Sequence, residues 1–121
     1  MNRIRTLTLL AAIAVLLPMT PSRTHAQAAG ETIVVHAHRF AFVPAEITVK
    51  QGEPVTLELI SDDVTHLLLV PDLGISQEIA KGHPARVTFT AQKAGDFSGQ
   101  CGRFCGSGHG SMVFTVHVKP D

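Results

Sequence analysis

The chain has 121 residues, room for one domain, with ten Lys and Arg against ten Asp and Glu and neither Trp nor Tyr. Arg3, Arg5 and Arg23 lie in the N-terminal segment, so the remainder carries seven cations against ten acids, a balance of −3. With no basic patch in that remainder, composition argues against a nucleic-acid partner.

Residues 1–28 read as a secretory signal peptide. Arg3 and Arg5 form a basic start, Leu7 to Leu17 an apolar stretch, and Ala26-Gln27-Ala28 an A-x-A cleavage site. The apolar run is far shorter than the ~20 residues that cross a bilayer. The expected product is an exported, periplasmic domain over residues 29–121, with no transmembrane span in the mature chain. A domain this small in an oxidising space would gain stability from a bound metal.

The rest of the chain reads as strands. Thr32 to His38 and Glu46 to Lys50 are rich in β-branched residues, and Gln51-Gly52-Glu53-Pro54 is a turn. Val55, Leu57 and Leu59 alternate with Thr56 and Glu58, the period-2 pattern of a half-buried strand. Leu67 to Val70 is a short apolar run, followed by Arg86 to Thr90, Asp96 to Gln100 and Val113 to Val118. No long 3.6-residue period occurs. Seven or eight short strands divided by turn signals predict an all-β, antiparallel sandwich or small Greek-key barrel. Phe40, Phe42, Phe89 and Phe114 are expected in its core. His36, His38 and His117 read as solvent-facing strand positions, with a surface metal site possible only if their strands adjoin, and His83 fits a turn after Gly82.

Chemistry concentrates in Cys101-Gly-Arg-Phe-Cys105-Gly-Ser-Gly-His109-Gly-Ser-Met112. This stretch holds both cysteines and the one methionine that remains once Met1 and Met19 are removed with the signal. Four glycines, each costing about 1 kcal/mol in a helix interior, make the stretch a loop. Two thiolates, an imidazole and a thioether are soft donors of the kind that select copper. Two cysteines in an exported chain, taken alone, also suit a structural disulfide.

The pattern C-x-x-x-C-x-x-x-H-x-x-M resembles the binuclear CuA centre of cytochrome c oxidase second subunits and of nitrous oxide reductases. The segment Asp63-Val-Thr-His66, followed by Pro71-Asp-Leu-Gly74, is similar to the oxidase segment that carries the first copper histidine. The likeness runs from about Phe40 to Lys119. It implies the cupredoxin fold, a Greek-key β-sandwich whose loops gather at one end, and a centre of two copper ions. Cys101 and Cys105 would bridge the ions, His66 and His109 would cap them, Met112 would be a weak axial ligand, and the backbone carbonyl of Arg103 would be the sixth donor. The implied role is single-electron transfer with a redox partner such as a cytochrome c or a terminal oxidase, without catalysis by this chain alone. Copper storage or delivery through the same loop is the alternative. Two departures from the family stand out. Arg103 occupies the place of a Glu that helps hold a magnesium ion in oxidases, and a cationic, donor-only guanidinium cannot do so. The aromatics that oxidases present to cytochrome c are also lacking as Trp or Tyr.

Overall fold

The computed structural model describes residues 30–121, so the segment read as a signal peptide lies outside the described residues. Nine strands follow in order: β1 (Glu31–His38), β2 (Ala41–Val43), β3 (Glu46–Lys50), β4 (Pro54–Ser61), β5 (His66–Val70), β6 (Ile75–Ile79), β7 (Ala85–Thr90), β8 (Gly95–Cys101) and β9 (Val113–Lys119). They form two sheets, ordered β2-β1-β4-β7 and β3-β9-β8-β5-β6. Among the described residues, no helix is long and apolar enough to cross a membrane.

Alternation builds the core. Val55, Leu57 and Leu59 of β4 are buried, as are Ile47 and Val49 of β3 and Phe114, Val116 and Val118 of β9, while their neighbours along each strand face outward or half-outward. Each such side chain contributes roughly 1.5–3 kcal/mol when fully removed from water. Phe42 and Phe114 meet edge to face with centroids 5.8 Å apart, joining β2 of one sheet to β9 of the other.

Two features differ from the sequence reading. The sandwich is mixed, because β1 pairs with β4 and β3 with β9 in parallel. Parallel neighbours need a crossover, and here the chain makes it by visiting the opposite sheet between the two partners. A strand with one buried face shows the same period in either orientation, so alternation could not distinguish them. The strands β2 and β6 were also not expected. β2 has three residues, and β6 turns only Ile75 and Ile79 fully inward around a polar middle, too few apolar residues to show a period.

Phe42, Phe89 and Phe114 lie in the core as expected, whereas Phe40 is half-buried. The three strand histidines do not converge: β1 and β9 lie in different sheets. His36 meets Asp62 at 2.9 Å, and His117 lies between Asp96 at 2.6 Å and Glu46 at 3.3 Å. His83 sits in a turn with Gly82 at φ +78°.

The strand order matters most at one end of the second sheet, where β5, β8 and β9 are neighbours. Leu68 lies opposite Cys101, and Gln100 opposite Val113. Two further bonds extend these ladders past the strand ends: the Cys101 amide donates to Met112 O at 3.0 Å, and the Gly102 amide to Leu67 O at 2.8 Å.

Candidate metal centre

On β5 the inward row is His66, Leu68 and Val70; on β8 it ends at Gly99 and Cys101; and Met112 continues the row Phe114, Val116, Val118 of β9. Strand pleating therefore aims an imidazole, a thiol and a thioether into the same end of the core from three adjacent strands. His66 and Met112 have no exposed surface and Cys101 has 1%.

The loop between β8 and β9 supplies the other donors. It leaves β8 at Cys101, passes Arg103 and Cys105, and re-enters through a single 3-10 turn at His109–Ser111. The Cys101 and Cys105 sulfurs are unbonded and stand 4.0 Å apart. His66 Nδ1 lies 3.9 Å from Cys101 Sγ, and His109 Nδ1 lies 3.8 Å from Cys105 Sγ. Met112 Sδ is 3.7 Å from Cys105 Sγ, and the Arg103 carbonyl oxygen is 3.1 Å from Cys101 Sγ. All six groups singled out in the sequence are thus brought together, although residues 66 and 101 are far apart in the chain.

These separations suit a metal. Donors about 2.0–2.3 Å from one ion at tetrahedral angles stand roughly 3.5 Å apart, and farther apart as the angle opens. The donor atoms of His66, Cys101 and Cys105 all lie within 4.8 Å of one another. Two sulfurs, two imidazole nitrogens and a thioether are a soft set, and burial favours retention of a closed site. Burial pushes the Cys105 thiol above its ordinary range, and the neighbouring Cys101 adds to this. A cation that offsets that penalty is bound with release of protons.

The imidazole of His66 is held from behind. Its Nε2 lies 2.7 Å from Asp63 Oδ1, so a proton on Nε2 leaves the Nδ1 lone pair facing Cys101. Asp63 also accepts from the Val64 amide at 2.6 Å and the Arg39 amide at 2.7 Å. Partial burial alone would raise its pKa, but the bonds from Arg39, His66 and Val64 outweigh that and hold it at about 2. The Ser61 hydroxyl closes the same turn by donating to Val64 O.

The loop has its own support. Arg39 Nε donates to the Cys105 carbonyl at 2.8 Å, and Arg103 reaches Glu78 of β6 at 2.9 Å. Phe40 lies beneath the loop glycines, where a Cβ on Gly106 or Gly108 would come within 2.9 or 2.4 Å of its ring. On the outer side Phe104 is 77% exposed, with its ring 5.9 Å from that of the half-buried His109. An open cleft of about 360 Å³ beside Cys105 is lined by Arg39, Val64, Thr65, Arg103 and Phe104.

Four contributors here escaped the sequence reading. Asp63 was visible as the first residue of the D-V-x-H segment, but its bond to His66 was not. Phe104 lay within the ligand loop without a role. Phe40 was expected in the core and is instead half-buried under the loop, and Arg39 carried no signal; both reach the loop through the turn between β1 and β2.

A two-sheet sandwich that gathers thiols, imidazoles and a thioether at one end defines a cupredoxin-type domain with a donor set for a soft metal. The chain belongs to the cupredoxin-like domain family, whose pattern matches residues 9–114. It is 33% identical over 88 residues to cytochrome c oxidase subunit 2 of Thermus thermophilus, a match that takes in 73% of this chain and 65% of that protein. The chain thus spans under two thirds of that relative's length. Among solved structures it resembles the periplasmic domain of cytochrome oxidase subunit II of Bradyrhizobium japonicum, with a TM-score of 0.69 and 20% identity over 75% of this chain and 85% of that one. It also resembles a mixed disulfide intermediate between a thioredoxin-like protein and subunit II of cytochrome c oxidase, with a TM-score of 0.64 and 21% identity over 75% and 83% of the two chains. At these identities the structures share the fold.

Proposed function

We propose that this chain is an exported electron-transfer protein that binds two copper ions in a CuA-type centre. The ligands are His66, Cys101, the Arg103 carbonyl, Cys105, His109 and Met112. The observation that carries this reading is the convergence of all six on two sulfurs 4.0 Å apart. Similarity to cytochrome c oxidase subunit 2 supports it.

When bound, the copper pair supplies a one-electron couple whose charge change is shared between both metals and both sulfurs. The chain's residues hold that centre still. His66 is locked by Asp63, and Cys101 and Met112 are joined through the backbone ladder. Ligands that cannot relax keep the reorganisation on electron arrival small. Met112 tunes the potential more than it adds affinity. His109, half-buried beside the exposed Phe104, is the side from which a cytochrome c or a terminal oxidase approaches. Residues 1–28 direct export and are removed, leaving residues 29–121 in the periplasm.

Metal content and electron paramagnetic resonance test the proposal together. The expected result is two coppers per chain with one unpaired spin coupled equally to both nuclei. One copper per chain with an ordinary mononuclear spectrum refutes the binuclear reading. Ready surrender of copper to a copper(I) chelator would favour storage or delivery instead.

A further inference from the structure

The turn between β1 and β2 supplies no ligand to the centre, yet Arg39 touches both ligand segments. Its amide donates to Asp63 Oδ2 at 2.7 Å, and Asp63 Oδ1 lies 2.7 Å from His66 Nε2. Its side chain donates from Nε to the Cys105 carbonyl at 2.8 Å. A continuous path therefore runs from His66 through Asp63 and Arg39 to Cys105, with no metal in it.

We propose that Arg39, gripped by Asp63, is a positioning residue that keeps the Cys101 and Cys105 sulfurs apart, and so resists disulfide closure while the site is empty of metal. The sulfurs stand 4.0 Å apart, and a disulfide requires about 2.05 Å, so closure demands roughly 2 Å of approach. Both sulfurs are buried, but the Cys101 backbone is held on β8 by its amide bond to Met112 O, so the movement falls mainly to Cys105, which lies outside any strand. It lies in a loop rich in glycine, next to Gly106 at φ +143°, where the backbone has wide freedom. Among the described residues, the bond from Arg39 is the one hydrogen bond that ties the Cys105 backbone to another part of the fold. Releasing it frees the sulfur that has to travel.

In an oxidising compartment the reaction to be resisted is exchange with an external disulfide. The two protein thiols plus one molecule of oxidised glutathione yield the Cys101–Cys105 disulfide and two molecules of reduced glutathione; two electrons and two protons pass to the glutathione sulfurs. A closed disulfide has no thiolates to offer a metal. The inference concerns metal-free protein and stands whether or not the copper reading holds.

The test is equilibration of metal-free protein in glutathione buffers of graded ratio, followed by thiol trapping and mass measurement. R39Q is expected to raise the equilibrium constant for disulfide formation about 10-fold. R39K, which keeps the charge without the guanidinium geometry, should stay within about threefold of R39Q. R86Q, at an ion pair on β7 with Glu58, is the control and should match the parent within about twofold. An R39Q constant within twofold of the parent overturns the proposal, as does full recovery in R39K. Should the Arg39 variants not fold, the unaltered protein still decides. A protected Arg39 Nε–H in proton-exchange NMR of its reduced, metal-free form upholds the tether, and free exchange overturns it.

Discussion

The contact between Gly108 and Phe40 can be tested by adding one methyl group. Gly108 has φ −91° and ψ 8°, a conformation open to alanine. On backbone grounds alone, G108A should stabilise the protein by about 0.4–1 kcal/mol through a less flexible unfolded chain. The contact reverses that sign. The new Cβ would meet Phe40 ring atoms at 2.4, 2.6 and 2.8 Å, about 1 Å inside ordinary van der Waals contact. These atoms belong to a rigid ring, so the loop or the ring must shift, a change that costs about 1–3 kcal/mol. The net expectation is a loss of about 1–2 kcal/mol. At about 4–8 °C per kcal/mol for a domain this size, the melting temperature should fall by roughly 5–15 °C.

The assay is urea unfolding of the reduced, metal-free protein, with the slope checked against the parent so that a shifted midpoint reports stability. F40A provides the second edge of a double-mutant cycle. In its background the ring is gone, and G108A should become neutral or mildly stabilising, a coupling of about 2 kcal/mol. A G108A protein as stable as the parent, or additive behaviour of the two changes, would refute the idea that Phe40 sets the height of the loop.

Other expectations follow from the same structure. L57A removes a fully buried side chain from β4 and should cost about 2–5 kcal/mol in urea unfolding, with no change in copper stoichiometry. M112L keeps the buried volume, so it should cost under about 1.5 kcal/mol and retain thiolate-to-copper absorption with a shifted reduction potential. C105S should lose that absorption; its survival would remove Cys105 from the ligand set. His117 is held above its ordinary pKa by hydrogen bonds to Asp96 and Glu46. Its contribution to stability is therefore complete below about pH 6.5 and disappears as pH rises through the elevated folded-state value. The gap between parent and H117Q urea midpoints should be wider at pH 6 than at pH 8, and an equal gap at both would contradict this.

Much of the site was legible because its signals are local. Cys101, Cys105, His109 and Met112 fall in twelve consecutive residues, and soft donors at that density have few other uses. His66 needed a second motif, since its approach to Cys101 depends on β5 lying beside β8, a long-range pairing that no local period encodes. Strand positions were recovered where one face is strongly apolar, as in β4 and β9, and missed in β6, where the buried isoleucines are separated by Ser76, Gln77 and Glu78. The contribution of the turn at Arg39 was not readable. Arginine there is an unremarkable surface residue until the fold sets its guanidinium beside a carbonyl that lies 66 positions along the chain.

The donors divide into two kinds by how they are held. His66, Cys101 and Met112 extend the inward rows of three adjacent strands, so their positions are fixed by the same ladders and packing that stabilise the domain. Displacing any of them means breaking core structure. Cys105 and His109 lie on the glycine-rich loop, where order rests on the 3-10 turn at His109–Ser111, the Arg103–Glu78 pair and contacts from a turn in the opposite sheet. That asymmetry locates the weak side of the site. Damage to the strand ends that carry His66, Cys101 and Met112 should lower stability and metal binding together, whereas damage to Arg39 or Phe40 should leave the strands intact and loosen the loop that carries Cys105 and His109. His109 alone among these five side chains is not buried, so ligand exchange would begin on the side of the site that lies outside the strands.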